Sequence, residues 1–244
     1  MTHYKLVLEY DGTGYHGWQE QPGGQLTVAG AVRDAIARLT SERPRLDAAG
    51  RTDAGAHSLG QTVSFSLERE FDADRLVHSL NAALPADIAV RQAAIVAAGF
   101  HARFSAQRRT YRYLVENRPE RGALLRDRAW HVRQPLDLAA MRAAAAGLVG
   151  LNDLSAFGSD PAGRNTVREL SRLRVRRLPS ALVAFDLTAN AFLYGMVRRM
   201  VGFLVEVGLG RRPAAESQQL LRAGAVAAAR VAPARGLYQL AVEY

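Results

Sequence analysis

The stretch Ala48-Ala49-Gly50-Arg51-Thr52-Asp53-Ala54-Gly55-Ala56-His57 is the centre from which we predict the fold. Gly50 and Gly55 bracket it, and glycine allows sharp turns and a close approach of a ligand because it has no Cβ atom. Asp53 lies between them, two residues after Arg51, and a nearby cation favours the ionised form of a carboxyl group. The stretch therefore predicts a loop that presents one carboxylate. The alternative from local sequence is an Asx turn, in which Asp53 bonds its own backbone.

Alternating strands and helices are predicted on both sides of this loop. Before it, β-forming residues stop at Asp11-Gly12, an aromatic loop follows, and Thr27 is a predicted helix N-cap. The aromatic loop, Tyr15 to Gln19, suits either stacking on bases or plugging the edge of a core. The predicted elements are strands over 3–10, 61–67 (half-buried) and 88–96 and helices over 28–39 and 73–84. They predict an N-terminal α+β domain over residues 1–104 that carries the aspartate loop.

The remainder, residues 105–244, is predicted to be a second, basic α+β domain. Its predicted elements are strands over 108–115, 168–178 and 182–188, helices over 138–149 and 192–207, a loop over 152–157 and a strand at the C-terminus. The strand over 168–178 alternates Arg172, Arg174 and Arg176 with apolar residues. Such a strand is either a surface that follows RNA phosphates or a solvated edge.

Composition excludes several classes of protein. The 244 residues include no cysteine, so disulfides, iron–sulfur ligation and thiolate zinc sites are excluded. Six scattered histidines form no H-x-x-x-H pair, which disfavours a histidine metal site. The N-terminus has no apolar signal segment, and charged residues interrupt the longest apolar stretch, over 192–209. We therefore expect a cytoplasmic protein that does not enter a membrane.

Positive charge is concentrated in one part of the chain. The formal net charge is +9, but residues 1–100 carry 9 basic and 12 acidic side chains, and residues 101–244 carry 23 and 11. Lys5 is the one lysine, so nearly all the cations are arginines. A GC-rich genome accounts for that preference but not for the asymmetry. The asymmetry indicates a polyanionic partner.

Two further segments suggest chemistry. Residues 100–113 interleave cations and aromatic rings, a pattern suited to looped or single-stranded RNA, although Tyr111 and Tyr113 are equally suited to a strand core. The helix predicted over 192–207 is apolar nearly all round, except for Arg198 and Arg199 in its middle. A buried arginine needs an acid as a partner, and Asp53 is the candidate.

Taken together, these segments resemble the TruA family of tRNA pseudouridine synthases. The resemblance covers nearly the full length, and its segments occur in the order of the family. They are DGTGYHGWQ (11–19), GRTDAGAH (50–57), FHARFSAQRRTYRY (100–113), DLSAF (153–157), NAFLYGMVRR (190–199) and Gly236-Leu237-Tyr238. The sequence departs from the family at Gly195, where histidine is frequent, and at Gln239, where an aliphatic residue is usual.

The resemblance implies a pseudouridine synthase fold. Two pseudo-symmetric α+β halves with mixed or antiparallel sheets would flank a central RNA-binding cleft, and the protein would be a homodimer. It also implies conversion of uridine to pseudouridine at positions 38, 39 and 40 of the tRNA anticodon stem-loop without a cofactor or a metal. By motif match, Asp53 is the catalytic aspartate, Arg198 its partner and Leu237 the residue that packs the uracil. Tyr111 is the stacking tyrosine, with removal of the C5 proton as a second candidate role, and Arg51 either contacts RNA or helps to order the loop.

The implied isomerisation breaks the N1–C1′ bond and forms a C5–C1′ bond, which needs a carboxylate but no redox group. Asp53 is suited to attack C1′, to add to C6 of the uracil, or to remove a ribose proton. Two other classes compete with the enzyme. A non-catalytic RNA-binding protein would keep the arginines but not need Asp53, Arg198 and Tyr111, whereas a metal nuclease would need clustered carboxylates or histidines.

Overall fold

The computed structural model describes residues 1–160, 163, 165–223 and 230–244. It forms two compact units, the first of Met1–Gln107 with Tyr238–Tyr244 and the second of Arg108–Leu237. The described elements are β1 (Thr2–Tyr10), α1 (Val28–Thr40), β2 (Asp47–Ala48), β3 (His57–Leu67), α2 (Ala73–Ala83), β4 (Ile88–Val96), β5 (Arg108–Asn117), β6 (Trp130–Val132), α3 (Leu138–Ala146), β7 (Gly150–Asp153), β8 (Val167–Arg177), β9 (Leu182–Ala189), α4 (Met196–Gly208), α5 (Glu216–Ala223) and β10 (Leu237–Glu243). The predicted α+β class is confirmed.

The first unit is built on a mixed sheet in the order β4–β1–β3–β10. Strand β1 runs antiparallel to both β3 and β4, and β2 pairs antiparallel with β3. The C-terminal strand β10 runs parallel to β3, with Tyr238 opposite His57 and Gln239 opposite Ser58. The chain end therefore lies beside the residues that follow the Asp53 loop.

Helices α1 and α2 contribute to the hydrophobic core of this unit. Thr27 is the N-cap of α1, as predicted, and its side chain accepts the Gly30 N–H. This bond satisfies a donor that the first turn of a helix leaves without a partner. The core combines apolar residues of the sheet and of both helices, including Tyr4, Leu6, Leu8, Val63, Phe65, Leu67, Val90, Val28, Val32, Ile36, Leu76 and Leu80.

Strand β3 differs from its prediction, because it is buried on both faces. The alternation over residues 61–67 predicted a half-buried strand, but Thr62 and Ser64 are buried as well as Val63 and Phe65. The Ser64 hydroxyl accepts the Ala102 N–H at 3.0 Å, so a buried polar side chain on this face has a partner. Polar residues on a strand thus do not establish that it faces solvent when a neighbouring segment can satisfy them.

The second unit is built on an antiparallel sheet in the order β5–β9–β8–β7, with β6 parallel to β5. Tyr113 on β5 is opposite Phe185 on β9, which is opposite Val175 on β8, so one face is apolar. Helix α3 contacts β8, and α4 contacts β5. None of the helices within the described residues is long and apolar enough to span a membrane.

Several short elements were not predicted. These are β2, β6 and α5. The loop predicted over 152–157 instead contains the end of β7 and a 3₁₀ turn, Ser155–Phe157. The helix predicted over 138–149 ends at Ala146, just before Gly147. Strands of two to four residues are too short for an alternation to be visible in the sequence.

Helix α4 begins later than predicted, which changes the position of its arginines. The prediction was a helix from Phe192 with Arg198 and Arg199 in the middle, but the helix begins at Met196. Gly195, the N-cap, has a φ of 72°, a left-handed conformation that a residue with a side chain rarely adopts. Both arginines are therefore in the first helical turn, whose dipole disfavours cations. The predicted burial of the helix is confirmed along most of its length.

On the polar face of the second sheet, one carboxylate holds two arginines. Asp186 accepts from Arg112 Nε at 2.6 Å and from Arg176 Nη2 at 2.5 Å, and its side chain is 9% exposed. Burial by itself would raise the pKa of the Asp186 carboxyl, but the hydrogen bonds from both arginines hold that pKa below its ordinary value. The carboxylate thus joins three adjacent strands, β5, β9 and β8.

We predict that Asp186→Asn lowers the free energy of unfolding by about 1–3 kcal/mol near neutral pH, because two arginines lose a buried charged partner. The folded-state pKa of Asp186 is below the unfolded one. The stabilisation is therefore present above the ordinary carboxyl pKa of about 3.9 and is lost as the pH falls through the folded pKa. Urea titrations of both proteins at several pH values should show their difference shrinking as the pH falls through that range.

The matched control is Asp34→Asn, which removes the partner of Arg43 in a pair whose side chains are exposed. Exposed pairs stabilise proteins by about 0–1 kcal/mol, so this variant should unfold almost like the wild type. A difference for Asp186→Asn that stays constant with pH would show that the carboxylate charge is not what stabilises the sheet.

Candidate active site

The Asp53 loop connects β2 to β3 in the first unit. The Ala56 N–H donates to the Asp53 carbonyl at 3.0 Å and closes a tight turn, in which Gly55 has a φ of 78°. Thr52 is buried, the Asp53 side chain is half-buried and Arg51 is exposed. Arg51 makes no hydrogen bond or ion pair with any residue that the structure describes, Asp53 included.

A second loop, residues 11–18, holds the Asp53 loop through backbone hydrogen bonds. The Trp18 N–H donates to the Thr52 carbonyl at 3.1 Å, and the Gly55 N–H donates to the Tyr15 carbonyl at 3.2 Å. The hydroxyls of Tyr10 and Thr52 are 2.8 Å apart. The backbone is thus fixed on both sides of Asp53, which limits the positions that the carboxylate can take.

The two loops approach so closely that two positions must be glycine. A Cβ atom on Gly12 would lie 1.9 Å from the Ala56 carbonyl oxygen, and one on Gly17 would lie 2.7 Å from the Thr52 carbonyl oxygen. Gly17 also has a φ of 88°. Two of the three glycines of the segment DGTGYHGWQ, Gly12 and Gly17, therefore allow the close approach of the Asp53 loop.

The aromatic residues of loop 11–18 belong to the core. Tyr15 and Trp18 are buried, so the interpretation as a core plug is correct and these two rings do not form a base-stacking surface. The Tyr15 hydroxyl donates to Asp87 Oδ1 at 2.6 Å. Burial raises the pKa of this hydroxyl above its ordinary value, and the bond to Asp87 adds to the effect, so Tyr15 stays a neutral donor.

His57 follows the turn and ends the glycine-rich motif, and the sequence predicted no role for it. The Gly12 N–H donates to His57 Nδ1 at 3.2 Å, and the His57 ring stacks on Tyr238 with centroids 4.7 Å apart. The histidine therefore connects loop 11–18 to the first strand residues after the Asp53 loop and to β10. Its position at the end of the glycine-rich motif was the one indication of this role in the sequence.

In the second unit, Arg198 is held at the start of α4. Its Nε donates to the Ala232 carbonyl at 2.7 Å, and the Ala232 N–H donates to the Arg198 carbonyl at 3.1 Å. The first bond holds the guanidinium group to the backbone of Ala232, and the second holds that backbone to the start of α4. The Nε of neighbouring Arg199 is buried and has no hydrogen-bond partner among the described residues.

The two tyrosines of β5 have different surroundings. Tyr111 is 7% exposed, and its ring meets Phe192 edge-on at 4.8 Å between centroids. Tyr113 is fully buried, donates its hydroxyl to the Pro233 carbonyl at 2.6 Å, and is a core residue. Burial raises the pKa of Tyr113, although the charges of Arg198 and Arg235 oppose the shift.

The predicted site residues are thus divided between the units. Arg51 and Asp53 belong to the first, and Tyr111, Arg198 and Leu237 belong to the second. Leu237 is buried at the start of β10. In the part of the chain that the structure describes, no group of three or more His, Asp or Glu side chains is arranged to hold a metal ion.

We predict that Gly12→Ala displaces the Asp53 loop, because a methyl group and a carbonyl oxygen cannot occupy the same space. The variant should unfold at a lower temperature than the wild type, with faster amide hydrogen exchange over residues 50–57. Gly14→Ala is the control in the same loop, since a Cβ atom there meets nothing within 4 Å. Equal stability and exchange in the two variants would contradict the close approach of the loops.

Comparisons with known proteins agree with the family that the sequence segments resemble. The family model described as tRNA pseudouridine synthase matches residues 6–105 and 144–244. A protein named tRNA pseudouridine synthase A from Acetivibrio thermocellus is 41% identical over the whole of both chains. Proteins of the same name from Moorella thermoacetica and Geobacter sulfurreducens are 44% identical over 98% and 43% identical over 97% of both chains. The chain belongs to the TruA family of tRNA pseudouridine synthases.

Proposed function

We propose that this protein converts uridine to pseudouridine at positions 38, 39 and 40 of tRNA anticodon stem-loops, with Asp53 as the catalytic carboxylate and without a cofactor. The observation that carries the proposal is the Asp53 loop, which presents one carboxylate from a backbone held on both sides. Membership of the family supports the reaction. We also propose that the protein acts in the cytoplasm as a homodimer, which rests on the family resemblance.

The chemistry needs a carboxylate and an exchange of protons with solvent. The N1–C1′ bond breaks, the uracil turns over and C5 bonds to C1′. The proton on C5 passes to a base or to water, and N1 takes up a proton from water, so no atom is gained or lost. Attack of Asp53 on C1′, addition to C6 and removal of a ribose proton all begin at an oxygen of the Asp53 carboxylate. Each route needs that oxygen to be fixed relative to the substrate, and rigid placement lowers the barrier to reaction.

We propose that Arg198 is the cation that orients Asp53. The bond from Arg198 Nε to the Ala232 carbonyl supports this role, because it limits the positions of the guanidinium and leaves its two terminal nitrogens to bind a carboxylate. A planar fork can bind a carboxylate through two parallel hydrogen bonds, which a lysine cannot do. The place of Arg198 in the first turn of α4 disfavours the helix, so helix stability does not explain the residue.

For Tyr111 we propose stacking on the target uracil, and for Leu237 we propose apolar packing against it. Phe192 contacts the ring of Tyr111 edge-on and thereby restricts its orientation. The target base must leave its helix to react, and stacking offsets part of the free energy that this requires. Arg51, which is exposed, is proposed to contact RNA.

The proposed arginine surface is smaller than the sequence suggested. Arg172 and Arg174 are exposed on the polar face of β8, but Arg176 binds Asp186. Pairing with a carboxylate removes most of the charge that Arg176 would offer to a phosphate. We therefore propose that Arg172 and Arg174 are the phosphate contacts on this strand.

We predict that Asp53→Asn and Asp53→Ala abolish pseudouridine formation while the affinity for tRNA stays within a few-fold, because the carboxylate acts in the reaction and contributes little to binding. Arg198→Lys in the same assay should slow turnover at saturating tRNA, since a point charge cannot replace the fork. Pseudouridine is mapped in a tRNA transcript after single-turnover reactions, and affinity is measured by filter binding.

The charge-matched control is Asp74→Asn, an exposed residue in the first turn of α2, which should react like the wild type. Turnover by Asp53→Asn at a tenth of the wild-type rate would exclude Asp53 as the catalytic group. A wild-type protein that binds tRNA and forms no pseudouridine would favour the non-catalytic RNA-binding alternative.

We predict that Arg172→Ala/Arg174→Ala weakens tRNA binding and flattens its dependence on salt. Each phosphate contact releases a counterion and contributes roughly 0.7–0.9 to the slope of log K against log salt concentration. Two lost contacts should therefore change the slope by about 1.4–1.8. The slope is measured by titrations at several salt concentrations.

The control, Arg69→Ala/Arg75→Ala, removes the same charge from two exposed positions at and just before the start of α2. It should leave the slope as it is in the wild type. If Arg172→Ala/Arg174→Ala has the slope of the wild type, this face of β8 is exposed to solvent and does not bind RNA phosphates. If the slope changes equally in both double variants, the effect is one of net charge alone.

A further inference from the structure

One arginine of the second unit has a charge that nothing around it compensates. Within the described residues, five arginines have a buried guanidinium nitrogen without a hydrogen-bond partner: Arg33, Arg118, Arg168, Arg199 and Arg212. Four of them form an ion pair through another nitrogen, with Glu20, Glu116, Asp160 and Glu216 respectively. The guanidinium of Arg199 forms no ion pair or hydrogen bond with any residue that the structure describes.

The stability of the fold does not account for this arginine. Arg199 is half-buried, and neither of its terminal nitrogens is buried. An arginine that covers apolar surface with its stem keeps its charged group in water. Here the Nε–H is withdrawn from water, which costs free energy because no acceptor replaces the lost water. The first turn of α4 adds a second cost, since the helix dipole there disfavours a cation.

The backbone that carries Arg199 is held in place. The Tyr194 N–H donates to the Ser159 carbonyl at 2.9 Å, and the Arg199 N–H donates to the Gly195 carbonyl at 3.0 Å. A Cβ atom on Gly195 would lie 3.4 Å from Arg199 Nε, so the glycine keeps protein atoms away from this side of the guanidinium. The cation is therefore presented from a fixed point and is not covered by its own loop.

Arg199 follows the cation that we assign to Asp53. Consecutive residues of an α-helix are separated by about 1.5 Å along the axis and about 100° around it, so the side chains of Arg198 and Arg199 leave α4 at the same level in different directions. They do not face one carboxylate. An RNA whose uridine reaches Arg198 carries a phosphate on each side of that nucleotide, so it brings anions to the level of Arg199 without a second protein.

We propose that Arg199 binds a backbone phosphate of the RNA substrate, at a linkage that flanks the target uridine. This inference rests on the proposed function and adds an anchor for the nucleotide that reacts. The terminal nitrogens make the contact, and guanidinium can donate two parallel hydrogen bonds to a phosphate. Because the charge is delocalised over all three nitrogens, the bound anion also offsets the lost hydration of Nε.

The test uses the full-length protein and an RNA hairpin of anticodon-arm sequence. Arg199→Met removes the charge and keeps an unbranched stem. It should weaken binding roughly 5- to 150-fold, the range from an exposed to a buried ion contact. The slope of log K against log salt concentration should flatten by about 0.7–0.9, since one phosphate contact is lost. The KM should rise while kcat at saturating RNA is unchanged, because the contact is made equally before and during the reaction.

Two further measurements separate a phosphate contact from a structural role. Arg199→Met removes an unpaired N–H and an unfavourable cation from α4, so it should unfold at the temperature of the wild type or above it. Arg199→Lys should keep most of the affinity and the salt slope, since a phosphate also binds a point charge. This outcome differs from the slower turnover expected for Arg198→Lys, whose fork is needed to orient a carboxylate.

A neutral linkage in the RNA identifies the phosphate. Hairpins with a single methylphosphonate at one of the linkages that flank the target uridine lack one backbone charge each. One of these substitutions should weaken binding to the wild type and have no further effect on Arg199→Met, because the two changes remove the same contact. A linkage that another residue binds should weaken both proteins alike.

The matched control is Arg212→Met. Arg212 also has a buried nitrogen without a partner among the described residues, but its Nη2 binds Glu216 at 3.1 Å. Its charge is already compensated within the protein, so the variant should keep the affinity and the salt slope of the wild type.

Wild-type affinity and salt slope in Arg199→Met would overturn the inference, and so would an equal loss in Arg212→Met, which indicates net charge alone. It also fails if every methylphosphonate weakens both proteins alike, or if Arg199→Met unfolds clearly below the wild type. A lower oligomeric mass of Arg199→Met in light scattering would make Arg199 a contact between copies of the chain instead. If the wild type binds the hairpin but forms no pseudouridine, the proposed function fails, and the binding measurements decide this inference separately.

Discussion

The close approach of two loop backbones is the constraint on which the first unit depends. Gly12 lies against Ala56 and Gly17 lies against Thr52, with no room for a Cβ atom at either glycine. This contact lets backbone groups of loop 11–18 form hydrogen bonds on both sides of Asp53. A carboxylate on an unsupported loop would spread over many positions. In the catalytic role that we propose for Asp53, ordering such a carboxylate would add to the barrier of each turnover, whereas a loop held by the fold is ordered when the protein folds.

The second unit carries many arginines on one sheet, so the constraint there is the repulsion between their charges. Its apolar face is covered, in part by α3 and α4, so the arginines collect on the other face, where they would repel one another. Asp186 removes part of this repulsion by accepting from Arg112 and Arg176 on the two neighbouring strands. The same contact divides the arginines into two groups. Those bound to Asp186 stabilise the sheet, and Arg172 and Arg174 are left exposed to solvent.

Much of the fold was predictable because local rules and the tertiary structure agree. Thr27 caps α1 as its sequence predicts, and the strand predicted over 88–96 has the bounds of β4. The differences arise where distant residues decide. Nothing near Arg176 in the sequence indicates that Asp186, ten residues later, binds it across the sheet. The start of α4 depends on the left-handed conformation of Gly195, which the apolar run from Phe192 concealed.

The candidate site was predictable as a set of residues but not as an arrangement. The motif pointed to Asp53 as the candidate, yet nothing in the sequence indicated why Gly12 and Gly17 must be glycine, since both contacts are made to a loop about forty residues away. Burial also had to be observed, because the aromatic residues Trp18 and Phe104 look alike in sequence and have opposite surroundings.

Three residues are in surroundings that are unfavourable for their side chains, and such residues are informative about function. Arg198 opposes the dipole of α4, Phe104 exposes an apolar ring, and the Gln239 amide is buried without a hydrogen-bond partner among the described residues. Each lowers stability, and proteins retain such features mainly where function requires them. Arg198 has a role in catalysis in our proposal. Gln239 has none, and it is one of the two positions at which the sequence departs from the family that it resembles. Replacing a buried, unpaired polar group with an apolar one of similar shape removes a desolvation cost, so an apolar residue at this position should stabilise the fold.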